Sequence, residues 1–382
     1  MVDPLRIGIV GCGAISGAYL TNSKNFANLQ IAACADLYRE VARAKAAQFA
    51  VPQVYTVDEM FGDPSIELIL NLTVPKAHAS VAMTALEAGK HVYVEKPLAL
   101  SREEGKAILA RAKKKGLRVG CAPDTFMGSG IQTARHVIDT GMIGRPVAFT
   151  AFMMCGGHES WHPSPEFYYE QGGGPLFDMG PYYLTALLNL LGPVRRVMGM
   201  ASIAIPERTI TSQPKSGKKI TVETPDHTAG TIEFENGVVG SIIQSFATQF
   251  PPYGGSPIVI FGTAGTLLVP DPNWFSGAVR VRLLSEHEIP AEPPTFSYKA
   301  DDFRKVEPVF PHDYSRSVGL SDMAEAIRAG RKFRASGELA LAVVDVMQGL
   351  LDSSECGKAF KPTVSFERPA PMPVEKDFGV LN

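Results

Sequence analysis

The sequence predicts an α/β protein: a doubly wound parallel sheet over residues 1–122, then over 123–382 a second α/β domain on a mostly antiparallel sheet. Three observations predict it. Short β-branched runs alternate with helical stretches up to about residue 122. Those runs are apolar without a polar alternate, as strands buried on both faces must be. Beyond Pro123 the strand-like runs lengthen, and one pair is joined by a hairpin signal.

The early strands are "LRIGIV", "LQIAACA", "IELILNL", "HVYVE" and "LRVGC", with amphipathic helices between them, as over 76–88 and 101–115. The cluster Arg111, Lys113, Lys114, Lys115 and Arg118 reads as a solvated helix carboxyl end, where cations complement the dipole, in preference to a phosphate site. A helix over 129–140 precedes strand-like runs around 145–155, 194–205, 227–235, 238–247 and 256–261. In "ENGVVG", Asn236–Gly237 predicts a type I′ turn, because both residues tolerate positive φ. Helices over 315–329 and 338–355 close the second domain. The proline-rich stretch 285–314 is expected to be an excursion loop and 360–382 an extended tail.

With 382 residues the chain can bury a sizeable core, and 45% hydrophobic against 20% charged residues excludes disorder for most of it. The 37 Lys and Arg against 39 Asp and Glu leave a net charge of −2, so no basic field attracts nucleic acid. The five cysteines are odd in number, widely spaced and free of CxxC pairs, which fits a reducing compartment. No apolar run reaches the ~18 residues that span a bilayer, and the amino terminus enters a strand directly. These features predict a cytoplasmic protein without a membrane partner.

Directly after the first strand stands "GCGAISG". Gly11 fits the tight turn of a dinucleotide-binding loop and Gly13 the close approach of backbone to a pyrophosphate, while Ser16 is small enough for the third position. A second strand ends in Asp36, 23 residues after Gly13, where a carboxylate accepts hydrogen bonds from an adenosine ribose. The domain is therefore expected to be a Rossmann domain. Asp36 repels a 2′-phosphate and so favours NAD over NADP, although Arg39 is near enough to pair with such a phosphate. Ala14, Ile15, Thr73, His78, Glu95 and Lys96 complete the candidate cofactor contacts.

Two further stretches carry chemistry. "TVPKAHASVAMTALEAGKHVYVEKPLAL" ends in Glu95–Lys96–Pro97 at the carboxyl end of a strand, where open α/β sheets place ligands. "GGGPLFDMGPYYLTALLNLLG" sets Asp178 and Tyr182 four residues apart, on one face if the helix has begun there. Together these motifs resemble the glucose–fructose oxidoreductase, inositol dehydrogenase and rhizopine-catabolism (Gfo/Idh/MocA) family, from the first strand to about residue 192 and again, weakly, at "SRSVGLSDMAEAIRAGRKFRASGELAL". The resemblance implies a Rossmann domain, a second domain on an open sheet that often forms homo-oligomers (here a dimer or tetramer), and nicotinamide-linked chemistry on a sugar or polyol. It places the family lysine on Lys96 and the aspartate on Asp178. Tyr182 stands where the family's usual histidine falls, so the sequence is more similar to the glucose–fructose oxidoreductase and dimeric dihydrodiol dehydrogenase subset, in which a tyrosine is the acid/base.

Oxidising a secondary alcohol needs a base for the hydroxyl proton while hydride leaves for the nicotinamide, and reduction needs an acid in the same place. Tyr182 is a ready acid; as a base its pKa of about 10 must fall by ~3 units, or ~4 kcal/mol, for which Lys96 and the nicotinamide charge are the expected sources. Asp178 is expected to orient Lys96 or the substrate hydroxyl. The loop "GGHESWHPSPEFYYEQ" offers aromatic faces and hydrogen-bonding edges for a pyranose, with His158, Trp161 and His162 as candidate substrate contacts. No third and fourth ligand accompanies His158 and His162, so no metal is expected. The expected activity is transfer of hydride between NAD(P) and a secondary hydroxyl or carbonyl of a sugar, polyol or glycoside. Two alternatives remain: glycoside cleavage through transient oxidation by bound NAD, and a sugar- or NAD-sensing binding protein without turnover.

Overall fold

The computed structural model describes residues 3–249, 257–286, 300–309 and 314–373. They form two compact units: the described residues up to Met127 with Tyr314–Val344, and those from Gly128 to 309 with Asp345–Met372.

In the first unit, β1 (Leu5–Val10), β2 (Leu29–Ala35), β3 (Gln53–Tyr55), β4 (Leu68–Asn71), β5 (His91–Val94) and β6 (Val119–Cys121) form a sheet ordered β3-β2-β1-β4-β5-β6. Every pairing is parallel. This is the dinucleotide-fold order, and the winding reverses between β1 and β4, where the carboxyl ends open a crevice. The interleaved helices are α1 (Ser16–Asn22), α2 (Arg39–Phe49), α3 (Val57–Gly62), α4 (Pro75–Glu87) and α5 (Arg102–Lys115). Ile7, Ile9, Leu68, Leu70, Val92 and Val94 are fully buried, as the unbroken apolar runs required. The basic cluster does end a helix: Ser101 caps α5, Gly116 turns its carboxyl end, and Arg111 and Lys115 both pair with Glu87.

The second unit begins with α6 (Ser129–Asp139), β7 (Pro146–Met154), α7 (Gly174–Asp178) and α8 (Gly180–Leu191). It continues through β8 (Val194–Ser202), β9 (Glu207–Thr209), β10 (Lys219–Thr221), β11 (His227–Phe234), β12 (Val239–Ser245), β13 (Ile258–Gly262), β14 (Gly265–Val269), β15 (Val279–Leu283) and β16 (Arg304–Val306). Among the described residues, eight of these strands form one sheet, β16-β15-β14-β13-β7-β12-β11-β8. All its pairings are antiparallel except β7 with β12. One face packs against helices: α8 is buried throughout, and Gly199 of β8 lies against the backbone of Leu350. The opposite face of the sheet leaves Met198, Met200, Val239 and Phe261 exposed.

Two expectations need correction. The β11–β12 hairpin is present, but only Gly237 has positive φ, +86°, and Asn236 does not. Gly237 N donates to Phe234 O (3.0 Å) and Phe234 N to Val238 O (2.8 Å), a type I turn followed by a left-handed glycine in place of type I′. Asn236 is used as a polar clip, with its amide donating to Leu191 O at 2.9 Å. The second concerns the linear division at 122/123 with both closing helices in the second domain. α9 (Val318–Ala329) and the start of α10 (Gly337–Cys356) belong instead to the first unit. The buried Asp124 carboxylate accepts from Ser317 N (2.9 Å) and Gly319 N (3.2 Å), and Asn28 donates to Ser321 O (3.0 Å). Those bonds fasten α9 to the parallel sheet.

Of the expected excursion loop 285–314, residues 287–299 and 310–313 lie outside the described residues, as do 374–382 of the expected tail and 256 of the last strand-like run. The described part of the tail has no helix or extended sheet pairing; Asp345 accepts from Thr363 N (2.6 Å) and Val364 N (2.9 Å), and Arg368 donates to Asn189 O (2.6 Å).

Where β7 and β12 pair, Phe149 lies opposite Gly240, and a Cβ at Gly240 would run into the Phe149 ring and carbonyl oxygen. Gly240→Ala is therefore expected to lower unfolding free energy by about 1–3 kcal/mol, the usual cost of overpacking. Urea titration checks this; a variant as stable as the parent refutes the packing account.

Candidate active site

In the first unit the loop between β1 and α1 is set by a close backbone approach. Gly11 has φ +98°, and a Cβ there would stand 2.6 Å from the carbonyl carbon of Leu72 and 2.7 Å from Thr73 N, at the end of β4. No L side chain fits that conformation and that space together. Gly13 is the reverse: it is exposed, and a Cβ would meet nothing within 4 Å. That open cradle beside the start of α1 fits a pyrophosphate, which the loop N–H groups and the helix end favour. Ser16 is fully buried and donates to Gly13 O at 2.7 Å, which bends the loop into the helix. Ala14 is exposed and Ile15 half-buried at the rim.

Asp36 closes the loop from β2. Its Oδ2 accepts from Cys12 N at 2.8 Å and its Oδ1 from Tyr38 N at 3.0 Å, so the carboxylate is aimed before any ribose arrives and retains lone pairs to accept from one. Arg39 is exposed as the first residue of α2. Next to these, Leu37, Tyr38 and Val74 are 89%, 67% and 63% exposed, apolar surface suited to an adenine face. The sequence reading missed them, since nothing in their spacing separates them from core residues.

The ends of β4 and β5 are joined by buried polar contacts. Thr73 Oγ1 donates to Asn71 Oδ1 (2.7 Å), and Asn71 donates to His78 O (3.0 Å). His78, expected as a cofactor contact, is buried instead: Nδ1 lies 2.6 Å from Pro97 O and Nε2 3.0 Å from Thr73 O. Burial holds its pKa below the ordinary value despite those two carbonyls. Glu95, also expected as a cofactor contact, is 6% exposed. It accepts from Tyr19 Oη at 2.8 Å and from Lys96 N at 2.9 Å, so it fixes the backbone that carries Lys96. Arg316 stands behind it, 3.5 Å from Glu95 and 3.7 Å from Asp124, whose pKa burial raises. Lys96 itself is half-buried just beyond β5.

In the second unit Asp178 is the last residue of α7 and Tyr182 the third of α8, with Met179 between the helices. The single helix expected to carry both is interrupted there because Pro181 has no N–H and crowds the preceding turn. Tyr182 is 7% exposed and Asp178 half-buried. The loop that follows β7 brings His158 to Asp178, with Nε2 3.7 Å from Oδ2. His158 also packs on Tyr168, Phe246 and Trp161, at centroid distances of 4.0, 4.4 and 5.3 Å. Trp161 is 61% exposed and stacks edge-on against His162, whose pKa burial lowers. All three candidate substrate contacts thus adjoin one another, with Asp178 beside His158.

What fixes this loop was not singled out from sequence. Arg208 on β9, with 2% of its side chain exposed, donates to Glu159 (2.7 Å), Gly156 O (3.0 Å), Asp226 (2.8 Å) and Phe246 O (2.8 Å). Its guanidinium also lies 4.8 Å from the Tyr169 ring centre. Tyr169 donates to Glu159 and accepts from His158 N at 3.0 Å. Burial raises the Glu159 pKa, but the Tyr169 and Arg208 hydrogen bonds outweigh it and hold the carboxyl below its usual range. Arg208 and Glu159 are 49 residues apart, so no local spacing announces the pair. All five cysteines are free thiols. Among the described residues no helix is long and apolar enough to cross a membrane, and no group of three or more His, Cys, Asp and Glu is placed to hold a metal ion.

Residues 5–122 match the model of an oxidoreductase family with an NAD-binding Rossmann fold, and residues 131–268 that of the GFO/IDH/MocA C-terminal domain. Trans-1,2-dihydrobenzene-1,2-diol dehydrogenase of Bos taurus is 26% identical over 85% of this chain and 96% of its own length. 1,5-Anhydro-D-fructose reductase of Ensifer adhaerens is 24% identical over 69% and 75%. D-xylose dehydrogenase of Paenarthrobacter nicotinovorans and levoglucosan dehydrogenase of Pseudarthrobacter phenanthrenivorans are matched over about half of their own length. A levoglucosan dehydrogenase solved with NADH and L-sorbose has the same fold, with a TM-score of 0.78 at 23% identity over 95% of this chain and 100% of that one. The two family matches cover the parallel sheet with its glycine loop and most of the larger sheet with Asp178; this chain belongs to the Gfo/Idh/MocA family of nicotinamide-linked oxidoreductases.

Proposed function

We propose that the protein transfers hydride between NAD and a secondary hydroxyl or carbonyl of a sugar, polyol or glycoside. The observation that carries this reading is a carboxylate, Asp178, held beside an imidazole in an aromatic loop, on a chain whose other unit is a nicotinamide-binding sheet. The names of relatives that act on 1,5-anhydro-D-fructose, D-xylose and levoglucosan support a carbohydrate substrate. Gly13 and the N–H groups of its loop hold the cofactor's pyrophosphate, and Asp36 its ribose. A bound nicotinamide accepts or returns the hydride. Tyr182 takes the hydroxyl proton during oxidation and gives it back during reduction; Lys96 supports that step with its charge, and Asp178 aims the substrate hydroxyl. Trp161 and His162 offer the stacking face and polar edge that a pyranose requires.

The exposed Met198, Met200, Val239 and Phe261 on one sheet face support a homo-oligomer formed through that face with a second copy of this chain. Light scattering at micromolar concentration is expected to give a multiple of the 41.1 kDa chain mass; a monomer rules this out.

Incubation with NAD and a panel of monosaccharides, polyols and glycosides is expected to accumulate NADH. Cleavage of a glycoside without net NADH would instead assign the transient-oxidation chemistry, and no turnover on any member would remove the reading. Tyr182→Phe keeps the ring's packing and is expected to cost turnover a factor of about 10²–10⁴, as is Lys96→Met, with NAD affinity nearly unchanged. A phenol donates more readily than it accepts, so oxidation should rise into the alkaline range while reduction falls there. A Tyr182→Phe enzyme with full activity and an unchanged profile moves the acid/base elsewhere.

Asp36→Ala is expected to weaken NAD binding about tenfold, because both a ribose acceptor and the tie to Cys12 N are lost, and to narrow the preference over NADP. Calorimetric titration with both cofactors checks this. A parent protein that prefers NADP overturns the assignment and makes the exposed Arg39 the residue to examine.

A further inference from the structure

We propose that His158 is the positioning residue for Asp178: a neutral imidazole that presents Nε2–H to the carboxylate and keeps it ionised and aimed. The inference rests on the role proposed for Asp178. The sequence marked His158 only as a surface for sugar, but the fold turns it inward. Its side chain is 12% exposed, and Nε2 stands 3.7 Å from Asp178 Oδ2, a few tenths of an ångström outside hydrogen-bond length.

The ring's other nitrogen decides the tautomer. Nδ1 is buried and has no hydrogen-bond partner among the described residues, because Tyr168, Phe246 and Trp161 crowd the ring with aromatic carbon. A proton on Nδ1 would therefore sit on a buried N–H without an acceptor. A lone pair in the same place costs less. The proton of a neutral ring then belongs on Nε2, facing the carboxylate.

The backbone of His158 is fixed by a separate chain of contacts. Its N–H donates to Tyr169 Oη at 3.0 Å, Tyr169 donates to Glu159, and Glu159 is tied to the buried Arg208 at 2.7 Å. The titratable and charged groups around the pair are Asp178 on α7, Cys155, Glu159, His162, Tyr168 and Tyr169 on the loop, and Arg208 on β9. Glu159 and Arg208 pair with each other, and the carboxylate that stands beside His158 Nε2 is that of Asp178.

A donor that bonds the charged form of a carboxylate lowers its pKa, and removing that donor raises it. If Asp178 must be ionised for turnover, the acidic limb of the kcat/KM profile should move up by about one pH unit in His158→Phe, the size of shift one hydrogen bond to a charged group produces. His158→Gln retains an amide donor and should restore most of the limb. A purely structural role would lower activity at every pH and leave the limb in place. Independently of turnover, long-range ¹H–¹⁵N spectra of the ¹⁵N-histidine-labelled full chain at neutral pH should show one ring in the Nε2–H form that disappears in His158→Gln. An unmoved limb in His158→Phe, a limb displaced by a full unit in His158→Gln, or a His158 ring in the Nδ1–H form would each overturn the proposal. The labelled spectrum needs no substrate, so it decides the matter even if every sugar fails and the proposed function falls.

Discussion

A single desolvated cation organises the loop after β7. Arg208 carries five N–H donors into a place with almost no water, and a guanidinium there is tolerated only if acceptors come to it. They do: two carboxylates, from Glu159 and Asp226, and two backbone carbonyls, from Gly156 and Phe246. These acceptors lie on the loop after β7, just before β11 and just after β12. Satisfying one charge therefore draws three separate segments to one point, and His158 and Trp161 inherit their places from that arrangement.

The cofactor side depends on the opposite kind of constraint, an absence of atoms. Gly11 lets the turn after β1 press on the backbone beyond β4, and Asp36 then holds the loop by its Cys12 N–H. Charge organises one loop and closeness of backbone the other. In both, a side chain holds the backbone of the residue assigned a role: Glu95 accepts from Lys96 N, and Tyr169 from His158 N.

The first unit was legible because its information is local. Each strand, turn and helix follows the last, so the glycine loop and the acidic residue at the end of β2 appear at fixed distances along the chain. The larger sheet was legible only as a set of strands. Its order puts β7 between β13 and β12, pairings that join residues about ninety or more positions apart, and no periodicity encodes them. The same reason hid Arg208, and it hid the place of α9, whose amino end answers to Asp124 nearly two hundred residues earlier. Asn236–Gly237 shows a finer limit: the dipeptide correctly announced a hairpin, yet Asn236 found a better use for its side chain on Leu191 O and left the left-handed geometry to Gly237 alone. His78 in α4 and Glu95 beyond β5 are tied to backbone and side chains of the loops beside them, bonds that no sequence spacing announces.

His78 has a mechanical consequence. Its ring spans from the carbonyl of Thr73 to that of Pro97, one nitrogen to each, and a neutral imidazole carries a single N–H for the two. The ring is thus a rigid strut of fixed width between the segment that follows β4 and the one that carries Lys96. A flexible amide or hydroxyl in its place would let the two segments drift independently. With the strut present, a displacement of Thr73 is passed directly to the Lys96–Pro97 bend, so the segment beyond β4 and the segment beyond β5 move as one piece.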